Sequence, residues 1–103
     1  MPLTIRVETE NGQVLRELVD VGNAFADLLS KAEEDGMPLL LAKYIDPYAD
    51  TTFNSWQIGD FRTDMRALSL ITTGAKAEAL SAIDALAQSC AKDPHLYLKF
   101  VGD

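Results

Sequence analysis

Leu39-Leu40-Leu41-Ala42-Lys43-Tyr44-Ile45 runs straight into Asp46-Pro47-Tyr48-Ala49-Asp50-Thr51-Thr52-Phe53-Asn54-Ser55-Trp56-Gln57. The first seven residues are apolar in a nearly continuous run rather than in alternation. That pattern predicts a central strand buried on both faces, with Pro38 tolerable only at its first position. The twelve that follow are rich in turn formers, hydroxyls and aromatic rings. Asp46 and Pro47 suit the first two positions of a type I turn, so the strand should deliver a polar loop to the surface.

At the end of this loop the sequence predicts a helix start. Asn54 can cap, Gln57 can close a capping box three residues on, and Phe53 can staple against Ile58, so the helix is expected to begin at Ser55. Ile58, Phe61, Met65, Leu68 and Thr72 then recur at steps of three and four, with Gly74 as terminator. Ala75 to Lys92 predicts a third helix from its alanines, with Leu80, Ile83, Ala87 and Cys90 on one face, until Asp93-Pro94 breaks it.

Working towards the termini, Leu3, Ile5 and Val7 alternate with Thr4, Arg6 and Glu8, the period of a half-buried strand. Asn11-Gly12 predicts a tight hairpin in which both residues tolerate positive φ, and Val14 to Val19 returns as a second strand. Asn23 is the expected cap of a helix in which Phe25, Leu28, Leu29 and Ala32 form the apolar stripe. Glu33, Glu34 and Asp35 crowd its carboxyl end, where the helix dipole disfavours negative charge. Fraying is expected there before Gly36 and Pro38, and the clash hints at an external cation. His95 to Val101 predicts a last strand, with Leu96, Leu98 and Phe100 facing one way. The element order is ββαβααβ. One α+β domain over residues 1–103 follows, a largely antiparallel four-stranded sheet with helices mainly on one face.

With 103 residues and 48% hydrophobic residues the chain is predicted to fold as a single globular unit. Its longest apolar stretch, Pro38 to Ala42, is too short to span a membrane, and no export signal is visible. A lone cysteine, Cys90, cannot form an internal disulfide, and a cytoplasmic location is the resulting expectation. Net charge is −7. Residues 1–35 hold eight acids against three bases, so most of that charge lies in the first third. Such a field repels phosphate backbones and favours a basic protein partner over nucleic acid.

Asp46 and Asp50 lack the alternate-residue spacing of a calcium loop. Asp60 and Asp64 interleave with Arg62 and Arg66 one helical turn apart, which predicts a solvated face of mixed charge. Cys90 and His95 are close enough in sequence to imagine a thiol–imidazole pair, but Cys90 continues the apolar face of its helix. No phosphate-cradling glycine loop, nucleophile elbow or zinc motif occurs, and the residues call for no metal or cofactor. An enzyme is therefore disfavoured.

The loop's turn, cap and staple account for half its residues. Tyr48, Asp50, Thr51, Thr52, Asn54 and Trp56 are the candidate binding residues, amphipathic rings and hydroxyls of the kind that meet protein or a polar ligand. Glu8, Glu10, Glu17, Glu33, Glu34 and Asp35 would speed encounter with a basic partner. A second arrangement has Asp46, Asp50, Asn54 and His95 converging on a small-ligand or hydrolytic pocket, provided the central and last strands are neighbours. A homodimer is a third expectation.

The segment DPYADTTFNSWQ (residues 46–57), together with HLYLKFVGD (residues 95–103), resembles the signature of a group of small bacterial proteins of unassigned function. The resemblance implies a bacterial, single-domain, stand-alone protein, and carries over no activity, cofactor or catalytic residue. Small acidic proteins of that kind are often immunity or antitoxin partners, and by that analogy the leading expectation is a non-enzymatic protein-binding domain, in its narrower form an immunity-like neutraliser of a basic partner.

Overall fold

The computed structural model of the chain describes residues 2–102; Asp103, the last residue of the HLYLKFVGD segment, lies outside them. Strands β1 (Thr4–Thr9) and β2 (Val14–Val19) form the amino-terminal hairpin, followed by helix α1 (Ala24–Glu34). Strand β3 (Thr51–Asn54) leads into α2 (Ile58–Ser69) and α3 (Gly74–Ala91), and β4 (Leu96–Val101) closes the fold. The strands form one sheet in the order β2-β1-β4-β3, every pair antiparallel. This is the expected α+β domain with the expected element order.

Alternation decides which face of the sheet is covered. Ile5 and Val7 of β1, Phe53 of β3, and Leu98 and Phe100 of β4 are buried beneath the helices. Arg6, Glu8, Tyr97, Lys99, Thr52 and Asn54 take the other face, where Arg6 lies 3.6 Å from Glu17 and Lys99 lies 3.7 Å from Asp50. All four phenylalanines meet in the core: Phe100 is 5.8 Å from Phe25, 5.5 Å from Phe61 and 6.0 Å from Phe53, centroid to centroid. One cluster thus ties α1, α2, β3 and β4 together, in the offset and tilted geometries that aromatic quadrupoles favour.

The hairpin turn differs in detail from the expectation. Gly12 alone has positive φ, +84°, and its N–H donates to Thr9 O while Thr9 N–H donates to Gln13 O. That is a three-residue loop, a type I turn closed by a left-handed glycine, instead of a two-residue turn. A register shift between Val7 and Glu8, which pair with Arg16 and Val14, then leaves Leu15 of β2 as an extra residue.

Four helix ends also differ. Asn23 does not cap α1 with its side chain; it sits at φ 58°, and the capping carboxylate is buried Asp20, which accepts the N–H groups of Phe25 (2.8 Å) and Ala26 (3.0 Å). The carboxyl end of α1 is not frayed. Met37 N–H donates to Ala32 O and Gly36 N–H to Glu33 O, with Gly36 at φ +69°, a Schellman closure that satisfies the last carbonyls despite the crowded acids. The capping box forms as expected, Asn54 N–H to Gln57 Oε1 (2.9 Å) and Gln57 N–H to Asn54 Oδ1 (3.0 Å), but Ser55 to Gln57 make a turn and the helix begins at Ile58. Gly74, with φ +68°, opens α3 instead of ending α2, which leaves Thr72 in the connection.

The largest departure is Leu39 to Ile45, which is not a strand. Its backbone amides never reach the sheet, because buried Asp64 of α2 accepts three of them: Leu40 at 2.7 Å on Oδ1, Leu41 and Ala42 at 2.8 Å on Oδ2. Ala42–Tyr44 then tighten into a 3₁₀ turn. Leu39, Ala42 and Ile45 are buried at steps of three while Leu40 and Tyr44 turn outward, a spacing that the continuous apolar run conceals. The third strand is the short Thr51–Asn54, and it lies at an edge. Asp64, expected on a solvated face, is only 2% exposed. Arg62 from the same set pairs with Asp84 of α3 instead, Nε to Oδ1 at 2.9 Å and Nη2 to Oδ2 at 3.2 Å, and these hydrogen bonds raise its pKa. Among the described residues, no helix is long and apolar enough to cross a membrane.

Candidate functional site

The turn after Ile45 is built by Asp46, whose Oδ1 accepts Tyr48 N–H at 2.8 Å and whose carbonyl accepts Ala49 N–H at 3.3 Å. It is pinned to the end of β4 by Gly102 N–H donating to Ala49 O at 3.1 Å. Its own hydrogen bonds hold the backbone, which leaves the Tyr48 ring 80% exposed. Beyond the turn, Thr51 is half-buried and Thr52 and Asn54 are exposed, with the Asn54 amide engaged in the capping box. Trp56 is 91% exposed but stands past the far end of β3, so the strand's length separates it from Tyr48. The six candidate binding residues therefore divide between the two ends of β3.

The alternative set does not converge. β3 and β4 are indeed neighbours, but Thr51 pairs with Phe100 and Asn54 with Tyr97, so Asp50 lies at the Val101 end and His95 beyond the opposite end. At about 3.3 Å per residue, the six residues from His95 to Val101 put roughly 20 Å between the two. His95 Nδ1 is instead 2.8 Å from Glu10 Oε1, an exposed pair beside the hairpin, and Asp50 faces Lys99. A pocket built from Asp46, Asp50, Asn54 and His95 is ruled out by the antiparallel register. Cys90 is fully buried, and burial first, then the nearby Asp93 charge, pushes its thiol up to about 11, the opposite of what a thiolate nucleophile needs.

The concavity lies elsewhere. A groove of about 680 Å³ runs between α1 and the segment from Gly36 to Tyr48. Leu3, Leu29, Met37, Leu39, Ala42 and Ile45 line its apolar floor. Asn23, just before α1, and Asp27, Ser30 and Glu33 of α1 form one wall, and Lys43, Pro47 and Tyr48 the other. Asp64 fixes the second wall, because the amides it holds belong to the residues between Leu39 and Lys43. Of the six candidate binding residues only Tyr48 borders this groove, and of the acids expected to speed encounter only Glu33 does. One signal for it exists in the sequence: Leu29 beside Leu28 makes the apolar arc of α1 wider than its Phe25–Leu28–Ala32 stripe needs.

Charge on the groove is uneven. Asp27 and Glu33 have no ion-pair partner among the described residues, while Lys31 reaches Asp35 at 3.9 Å. The Lys43 ammonium sits 5.2 Å from the centroid of the Tyr44 ring. No group of three or more His, Cys, Asp or Glu residues able to hold a metal occurs among the described residues. Comparisons of the chain with protein-family models, with curated proteins and with solved structures find no match.

Proposed function

We propose that this is a non-enzymatic protein-binding domain that presents the groove between α1 and the Gly36–Tyr48 segment to a partner. The observation that carries the reading is the apolar floor continuing onto the exposed ring of Tyr48, on a wall held rigid from beneath by Asp64. Exposed aromatic anchors beside a preformed apolar depression are the usual basis of tight recognition, since little ordering entropy remains to be lost. The separation of His95 from Asp46 and Asp50 supports binding over acid–base chemistry. In its narrower form the domain is an immunity-like neutraliser in a bacterial cytoplasm.

A photo-crosslinking residue at Tyr48 tests this, with the same residue at exposed Glu78 of α3 as control. In cells the Tyr48 probe is expected to trap one discrete protein that the Glu78 probe does not, and Leu29→Gln is expected to abolish the product. Equal trapping from both positions overturns the reading. A second reading, a small amphiphile in the same groove, is favoured by the volume alone, which lies in the range of small-molecule sites.

A further inference from the structure

Resting on the groove as a protein-binding surface, we infer that its occupant is a short amphipathic helix of a partner, apolar on the face that enters the groove and carrying Lys or Arg along the edge that meets α1.

Length comes first. The wall from Asn23 to Glu33 is about 15 Å of chain at about 1.5 Å per residue, three helical turns, which suits a partner helix of similar length better than a compact ligand. Charge comes second. Asp27, Ser30 and Glu33 follow one another at steps of three, so their side chains form one polar edge above the apolar floor. Glu33 lies in the last turn of α1, where the partial negative charge of the helix end opposes a carboxylate. Neither Asp27 nor Glu33 is neutralised within the described residues, since Lys31 is directed at Asp35. A cation from outside therefore relieves an unfavourable arrangement as well as adding a new attraction. Lys43, on the opposite wall, leans over Tyr44 and sets the other side of the groove against a second cationic edge. The two walls together select a helix with basic residues on one flank only.

The test uses fluorescein-labelled helical peptides of about 12 residues, of leucine with lysine on one flank, and the same peptides with glutamine or glutamate for lysine. Fluorescence anisotropy is read at about 50 mM and about 300 mM NaCl, on either side of strong screening. The lysine peptide is expected to bind about tenfold tighter than the glutamine peptide at low salt, with the gap closing at high salt. Asp27→Lys/Glu33→Lys should remove that gap. Asp60→Lys/Glu78→Lys, which changes net charge by the same amount away from the groove, should leave most of it. Equal effects of the two double variants, or a glutamate peptide that binds as well as the lysine peptide, overturn the inference.

If all three peptides bind equally and Leu29→Gln or Tyr48→Ser weakens them all, the groove reading survives and the basic-partner inference falls. If no peptide responds to Leu29→Gln or Tyr48→Ser, each verified as folded by circular dichroism, both fall. Binding of dodecyltrimethylammonium with the same charge dependence, and of none of the peptides, assigns the groove to a small cationic amphiphile and overturns the inference.

Discussion

Asp64 in α2 accepts the backbone N–H of Leu40 at 2.7 Å across 24 residues of sequence, and with Leu41 and Ala42 on its other oxygen it takes the place of a strand partner for those three amides. A carboxylate this deeply buried is tolerable where amide donors stand in for its water. The bond thus determines both the course of the chain and the shape of the groove wall above it.

Asp64→Asn keeps the volume but offers one acceptor and turns an NH₂ towards amides that need acceptors. A loss of about 3 kcal/mol is expected, from charge-assisted bonds weakened and buried donors left unpaired. Urea denaturation measures it. Hydrogen exchange at Leu40, Leu41 and Ala42 should accelerate more than at β1 amides, and uniform acceleration would mean the carboxylate does not hold this segment in particular.

The two helix starts make contrasting predictions. Asp20→Ala should cost about 1–2 kcal/mol by orphaning the N–H groups of Phe25 and Ala26, whereas Asn23→Gly should leave stability unchanged or raised, because glycine accepts the left-handed φ of 58° without strain. At the second start, Asn54→Ala should cost about 1 kcal/mol. Its bonds with Gln57 are reciprocal, so the double alanine variant should cost less than the sum of the singles. Melting curves of the five variants check both claims.

Gly102→Ala tests the pin between β4 and the Tyr48 turn. A Cβ there would collide with the backbone N and O of Ala49 and stand 2.8 Å from Asp46 O, so the turn must move. Overpacking of this kind costs about 1–3 kcal/mol. The change should also weaken any groove ligand, since Tyr48 rides on the displaced turn. Calorimetry with a groove-binding peptide reads both effects.

Cys90 sets a pH dependence on the alkaline side. Its thiol is raised from 9.0 to about 11 in the folded protein. Between those values the unfolded chain loses a proton that the folded chain keeps, so stability falls as pH rises through that window and is unaffected by this group below it. Urea midpoints from pH 8 to 11 should decline, and Cys90→Ala should flatten the decline. Reaction with a thiol reagent at pH 8 should be slow under native conditions and fast in urea.

Where a side chain's fate depended on its immediate neighbours, the sequence was readable. Leu3, Ile5 and Val7 alternate and line one face; Phe25, Leu28 and Ala32 share a helix face; Asn54 and Gln57 bond reciprocally as their spacing implies. The candidate site was legible at Tyr48, because its exposure follows from a turn that Asp46 closes two residues away, and at Glu33, because its place in the last turn of its helix follows from local periodicity. Sequence proximity groups Trp56 with Tyr48, but the length of β3 carries Trp56 to the other end; strand adjacency groups His95 with Asp46, Asp50 and Asn54, but the antiparallel register of β3 on β4 takes His95 away from Asp46 and Asp50.

By itself, then, the chain determined its α+β class, its element order, its apolar faces and its acidic first third, all of which arise from propensities and periodicities acting within one or two turns. Tertiary structure alone decided that Leu39 to Ile45 is a groove wall and not a strand, and that Asp64 is buried beneath it. The physical reason is that a run of leucines is equally well buried by either route. The choice falls to whichever partner satisfies the backbone amides, and that partner lies 22 to 24 residues away on another helix.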